Sequence, residues 1–210
     1  MSTAESDRTE PTVTLWLDPV CPFSWNTARW LRAVAERTGL VIDWQLMSLA
    51  ILNEGHELPP PQQAEMRDSR QIGRLMAALG REHGAAGWAA AYFAFGERYF
   101  DRSEPVSAHL VAQVLMTVGA RGAMAAAVSD ASMDDVVRDQ HQAGQRALGE
   151  TGGSPILRIG DHTFFGPVLT GLPDAATTTA LFDAVATLAA TPQFAQLQRP
   201  RPAADRPNDD

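Results

Sequence analysis

Apolar and polar positions fall into two regimes along the chain. Thr12–Leu17 (TVTLWL) is β-branched and apolar with no break, which predicts a buried strand ended by Asp18-Pro19. From Pro22 the spacing becomes helical: Trp30, Leu31 and Val34 mark one face, Pro22 suits the first turn and Gly39 suits the C-cap. Leu40–Met47 (LVIDWQLM) predicts a second strand, so the three elements make a βαβ unit with parallel strands. Ile51–Gln62 contains Pro59, Pro60 and Pro61 and reads as a loop. Residues 63–149 then keep helical spacing almost throughout, with helices expected at about 63–83, 86–101, 105–119, 122–129 and 132–148. Pro105 reads as a helix start with Ser103 as its N-cap. Strand signals return at Ile156–Ile159 (ILRI) and His162–Phe165 (HTFF), which flank Gly160-Asp161 as a hairpin does. Residues 173–190 predict a last amphipathic helix. The order is β-α-β, a helical block, then β-β-α. The expected division is a core of residues 12–62 and 150–197, an inserted helical subdomain of 63–149, and disordered ends at 1–11 and 198–210.

The 210 residues suffice for a core that needs no staple. The net charge of −8 leaves no basic surplus for a phosphate backbone, which argues against nucleic acid. The 17 basic residues are all arginine, so a lysine Schiff base is excluded. No apolar run suits a membrane span, and no membrane partner is expected. One cysteine, Cys21, rules out an internal disulfide and a multi-cysteine metal site, and suits a reducing cytoplasm. Glycines 152 and 153 lack the strand–loop–helix setting of a nucleotide fingerprint, so no nucleotide is expected. The histidines have no metal-ligand spacing, so no metal is expected either.

Cys21 carries the candidate chemistry. It follows a buried strand and precedes a helix, where free N–H groups and the helix dipole favour a thiolate. The alternative is a small buried hydrophobe. Ser154-Pro155 precedes a strand and reads as an ordinary trans proline or as a cis bond that presents the Ser154 backbone to a thiol partner. Ser24, in the first helical turn, is either a hydrogen-bond donor to the thiolate or a plain polar residue. Phe23 and Trp25 flank the thiol as an apolar floor or as core. Asp18 reads as a proton relay or, the favoured reading, as a turn residue, and because its charge opposes a thiolate it should not point at the sulfur. His141, in DDVVRDQHQAG, is a structural histidine or a cofactor contact in a cleft. Arg67, Arg70 and Arg74 form a solvated stripe or the edge of a cofactor site. The aromatic series from Trp88 to Phe100 reads as core or dimer interface.

Four stretches in this order resemble a known family: TLWLDPVCPFSW (14–25), MSLAILNE (47–54), HQAG (141–144) and FFGPVL (164–169). They are similar to the DsbA-like branch of the thioredoxin superfamily, and closest to actinobacterial mycothiol-dependent nitroreductase-type oxidoreductases. The resemblance covers roughly Val13 to Arg199. It implies an α/β thioredoxin fold with an inserted all-helical subdomain, a cis Pro155 facing Cys21, and a reactive Cys21. The family often has a second cysteine where this chain has Ser24, so dithiol chemistry within the chain is excluded.

The resemblance implies a cytoplasmic one-thiol oxidoreductase. Cys21 and Ser24 are its catalytic candidates, and Pro22, Phe23, Trp25, Ser154, Pro155 and His141 would bind substrate or cofactor. Mycothiol, or another low-molecular-weight thiol, is the implied co-substrate. Mixed disulfides or small electrophiles such as nitroaromatics are the implied substrates. Two alternatives stay open: a thiol transferase or isomerase that activates a bound thiol through Ser24, and a non-catalytic thioredoxin-fold binding module. The apolar surface of the helical block suggests a homodimer, which nothing in the sequence fixes.

Overall fold

The computed structural model describes residues 13–200, so the expected leader and nearly all of the expected tail lie outside the described residues. Strand β1 (Val13–Leu17) is buried at every position. It lies between β2 (Ile42–Leu46) and β3 (Ile156–Ile159) in a four-stranded sheet of order β2-β1-β3-β4, with β4 at His162–Phe165. A strand covered on both faces needs no polar alternation, which explains the unbroken run. β1 and β2 are parallel, as a helical crossover requires, and β3 joins antiparallel to both β1 and β4. This α/β architecture is the thioredoxin fold the sequence implied.

Side chains on β1 alternate between two layers. Val13, Leu15 and Leu17 enter the large core with Leu31 and Val34 of helix α1 (Pro22–Thr38). Trp16 faces the other way and packs with Met47 and Ile156. Gly144 of helix α5 (Asp134–Leu148) lies against that indole, where a Cβ would sit 3.0 Å from the ring. Helix α1 is tied to α6 (Thr177–Ala189) by Trp30, whose indole N–H donates to Thr178 O at 2.9 Å. Gly39 closes α1 in the left-handed conformation, as read from the sequence.

Between β2 and β3 the chain is helical, and it differs from expectation at four points. Ser48 caps a short helix α2 (Leu49–Leu52) inside the stretch read as a loop. Helix α3 begins already at Pro60 and extends to Tyr99, because a proline is tolerated in a first turn. Gly84, at φ 67° and ψ −169°, interrupts α3. Asp68 and Tyr99 would be roughly 46 Å apart along a straight helix. The Tyr99 hydroxyl instead donates to Asp68 at 3.2 Å, so α3 is a hairpin folded at Gly84. Helix α4 (Ala108–Thr117) is capped by Ser107, not Ser103, because the Ser107 hydroxyl reaches Leu110 N while Ser103 sits at φ 53°. Residues 122–129 form 3-10 turns in place of the expected α-helix.

The second arm of α3 packs on α1 through aromatics. Trp25 contacts Tyr92 and Phe93 and stacks on Phe100 at 5.8 Å. Gly96 lies flush against the same indole, with no room for a methyl group. Gly96→Ala is therefore expected to destabilise the fold by about 1–3 kcal/mol. Urea unfolding followed by tryptophan fluorescence checks this, and an unchanged midpoint contradicts it.

Candidate functional site

The end of β1 turns sharply through Asp18-Pro19-Val20 into α1, with Cys21 as its N-cap and Pro22 at its first position. Cys21 N–H donates to Asp18 O at 3.2 Å and Trp25 N–H to Cys21 O at 3.0 Å. Cys21 is 4 % exposed, while Pro22 is exposed and Phe23 half-buried. The thiol donates to the Ser154 carbonyl at 3.5 Å, which brings the chain ahead of β3 onto the N-terminus of α1. The Ser154–Pro155 peptide bond is cis, as is Gly166–Pro167. The loop around Pro167 also docks on α1: Thr27 donates to Pro167 O at 2.7 Å and Asn26 to Leu169 O at 3.0 Å.

Ser24 and Ser154 meet directly, hydroxyl to hydroxyl, at 2.5 Å. Both are buried. Ser154 Oγ also accepts from the Asp18 N–H at 2.8 Å. Asp18 is no plain turn residue. Its side chain is completely buried and accepts from Val20 N–H at 2.8 Å, Leu49 N–H at 2.6 Å and the Ser69 hydroxyl at 2.5 Å. Ser69 in turn accepts from Ala50 N–H at 3.1 Å. One carboxyl thus gathers the β1–α1 turn, α2 and the first arm of α3, and its own N–H adds the segment before β3.

The sequence expectation of a thiol lowered by the helix terminus meets an opposing effect. Burial pushes the Cys21 thiol above the ordinary range. The Ser24 hydroxyl and the backbone N–H groups of Ser24 and Phe23 pull it back, while the Asp18 charge adds to the rise. Desolvation wins because a thiolate that leaves water loses more than a few hydrogen bonds return. Burial raises Asp18 as well, against its three donors.

Of the sequence candidates, Cys21, Ser24, Ser154 and Pro155 come together at one point, with Pro22 and Phe23 at its rim. Trp25 does not line a substrate floor: it is 2 % exposed and packed in the core, and its indole N–H donates to the exposed Asp101 at 3.0 Å. Arg29 lies over that ring at 4.9 Å and shares the Asp101 carboxylate. His141 is buried, and its Nδ1 accepts the Ser48 N–H at 3.4 Å. Burial, then the nearby Arg138 cation, lower its pKa, so it is neutral at pH 7 and acts as an acceptor. It reaches Asp18 only through Ser48 and Ser69, whose hydroxyls lie 3.5 Å apart.

Beyond α2 lies a polar cavity of about 650 Å³ lined by Asn53, Glu54, His56, Gln63, Arg67 and Arg70 among others. Glu54 is ion-paired at its wall: its carboxylate takes Arg138 through two contacts of 3.1 Å and Arg70 at 3.8 Å. Arg74 pairs bidentately with Asp134, so the arginine series is partly an ion-pair seam. Among the described residues no group of acidic, histidine and cysteine side chains is placed to hold a metal.

Residues 20–199 match the profile of the Rv2466c-like family, described as mycothiol-dependent nitroreductase Rv2466c. An uncharacterized protein of Mycobacterium tuberculosis, Rv2286c, is 31% identical over 198 residues, covering 92% of this chain and 84% of its own. The structure of 2-hydroxychromene-2-carboxylate isomerase superposes with a TM-score of 0.59 at 19% identity, over 84% of this chain and 95% of that one. A putative protein disulfide isomerase from Nitrosomonas europaea gives 0.55 at 11% identity, over 83% and 97%. At these identities the structural likenesses establish the fold.

Two outcomes follow from this geometry. A raised thiol pKa leaves little thiolate at neutral pH, and the fraction grows as pH climbs. Alkylation of Cys21 is therefore expected to accelerate continuously past the ordinary thiol range near about 8.5; a plateau near neutrality contradicts the buried setting. Asp18→Ala strips the acceptor from three buried donors at about 1–3 kcal/mol each. Denaturant unfolding is expected to show a loss of roughly 3 kcal/mol or more.

Proposed function

The chain belongs to the Rv2466c-like family of mycothiol-dependent nitroreductases, and on that premise we propose a thiol-dependent oxidoreductase that works through the single sulfur of Cys21. The observation that carries this reading is the meeting of Cys21, Ser24 and Ser154 at the start of α1. A sulfur there has backbone donors on one side and a peptide carbonyl on the other. Pro22 and Phe23 form the rim by which a substrate approaches.

The chemistry balances with two equivalents of a low-molecular-weight thiol, which we assign as mycothiol. With a mixed disulfide, the Cys21 thiolate attacks the mycothiol sulfur and the substrate leaves as a thiolate. A second mycothiol then attacks that same sulfur, giving mycothiol disulfide and free Cys21. With a nitro compound, Cys21 and one mycothiol join as a mixed disulfide. Their two electrons and two protons convert the nitro group to nitroso plus water, and a second mycothiol again regenerates Cys21. The polar cavity beside α2 suits the hydrophilic body of such a thiol, with Asn53 and Glu54 as contacts. A lone cysteine fits a reducing cytoplasm, where no disulfide is needed for stability. No helix among the described residues is long and apolar enough to cross a membrane.

The transferase reading, in which Ser24 holds the cofactor thiol, fits less well. Ser24 is wholly buried behind the sulfur and its hydroxyl is engaged with Ser154. Incubation with oxidised mycothiol is expected to add one mycothiol mass to Cys21 by mass spectrometry. Cys21→Ser is expected to lose both the adduct and thiol-dependent turnover. Full activity in Cys21→Ser returns the chemistry to Ser24 and ends the one-sulfur mechanism.

A further inference from the structure

We infer that Gln145 is a positioning residue: through Gly152, its side-chain amide sets the Ser154 carbonyl against the Cys21 sulfur. The inference deepens the one-sulfur reading, and its bearing on catalysis rests on that reading. The chain leaves α5 at Gly149, whose N–H donates to Gln145 O at 2.9 Å. It then turns back beside the last turn of the helix, where both polar groups of Gly152 meet the Gln145 side chain. Gly152 N–H donates to Oε1 at 2.7 Å, and Nε2 donates to Gly152 O at 3.0 Å. A peptide N–H can only give and a peptide carbonyl can only receive, so the direction of both bonds and the orientation of the amide are fixed. Gln145 directly follows the HQAG stretch, whose Gly144 seats α5 on the Trp16 ring. The helix that carries the clamp is therefore itself set on β1, the strand that leads to Cys21.

Two glycines in succession would otherwise leave this stretch loose. Close packing calls for both: a side chain at Gly152 would run into Leu148, and a Cβ at Gly153 would lie 3.2 Å from the Phe165 ring. Two residues past the clamp, Ser154 receives the Cys21 thiol on its carbonyl at 3.5 Å and the Asp18 N–H on its hydroxyl at 2.8 Å. One residue further, Pro155 O accepts the Gly166 N–H at 2.8 Å. The sheet thus holds Ser154 from one side and Gln145 holds it from the other. Cys21 is 4 % exposed, so a reagent reaches the sulfur when residues 152–154 lift. The rate of that encounter follows the opening equilibrium, which the two bonds of the clamp oppose.

The test follows the reaction of Cys21 with a dipyridyl disulfide, which exchanges with thiols in acid as well as at neutrality and releases a coloured pyridinethione. Full-length Gln145→Met and Gln145→Glu are compared with the wild type. Each rate is divided by the wild-type rate at the same pH, so the titrations of Cys21, Asp18 and His141 cancel. Gln145→Met keeps the length and removes both bonds, and is expected to react about tenfold faster at every pH. The carboxyl of Gln145→Glu matches the amide only when protonated, with an O–H for Gly152 O and a C=O for Gly152 N–H. Ionised, it lacks the donor and turns an oxygen towards Gly152 O. Its ratio is expected to be about tenfold at pH 7 and to fall towards one as pH drops through the ordinary glutamate value of about 4.3. A merely structural role for Gln145 gives no such dependence on the new carboxyl. A Gln145→Met protein that reacts like the wild type overturns the inference. So does a Gln145→Glu ratio that stays constant between pH 7 and about pH 4. If Gln145→Met does not fold, Gln145→Glu carries the comparison alone, each protonation state serving as control for the other. No mycothiol takes part in this reaction. A wild type that forms no mycothiol adduct yet shows the pattern defeats the functional reading alone, and a normal adduct without the pattern defeats the clamp alone.

Discussion

A carboxyl group taken wholly out of water must find donors, and Asp18 finds them on segments far apart in sequence. Val20, Leu49 and Ser69 give it three hydrogen bonds, and its own N–H reaches Ser154. An unmet donor or acceptor at this depth is costly, so each of these segments has one acceptable position relative to the others. The site is assembled by that requirement. Cys21 is three residues from Asp18, and Ser154 meets it from the opposite side.

The same carboxyl works against the chemistry it organises. Its charge, like the burial around it, favours the neutral thiol. Activation must come from groups that act over short range on the anion: the N–H groups that open α1 and the hydroxyl of Ser24. Rigidity makes those short contacts effective. Trp25, one turn after Cys21, is held by Phe100, Tyr92, Phe93 and Asp101, so the first turn of α1 has little freedom to move away from the sulfur.

The strands and the ends of α1 were legible because apolar runs, Pro22 and Gly39 are local signals. The convergence of Cys21 and Ser154 was legible through a resemblance, since nothing local links residues so distant. Asp18 was misread because a polar residue before proline looks like any turn, and its burial depends on Ser69 and Leu49 from elements placed by tertiary packing. Trp25 was left between floor and core, and only the second arm of α3 decides the matter. That arm returns at Gly84, where the sequence placed the break between helices 63–83 and 86–101, but the face it lays on α1 is set by tertiary packing. The Cys21 thiol was expected to be acidic from its helix position alone. The desolvation that outweighs the dipole is a property of the whole surroundings.

The sheet joins β1 directly to β3, so the sulfur and its serine are separated by 133 positions of chain. The intervening helices are built mainly from near neighbours, which pair quickly, whereas closing β1 onto β3 is a long-range event. During synthesis the cysteine emerges well before the segment that will shield it. Until that segment arrives, the nascent polypeptide carries an open thiol that only the finished fold covers.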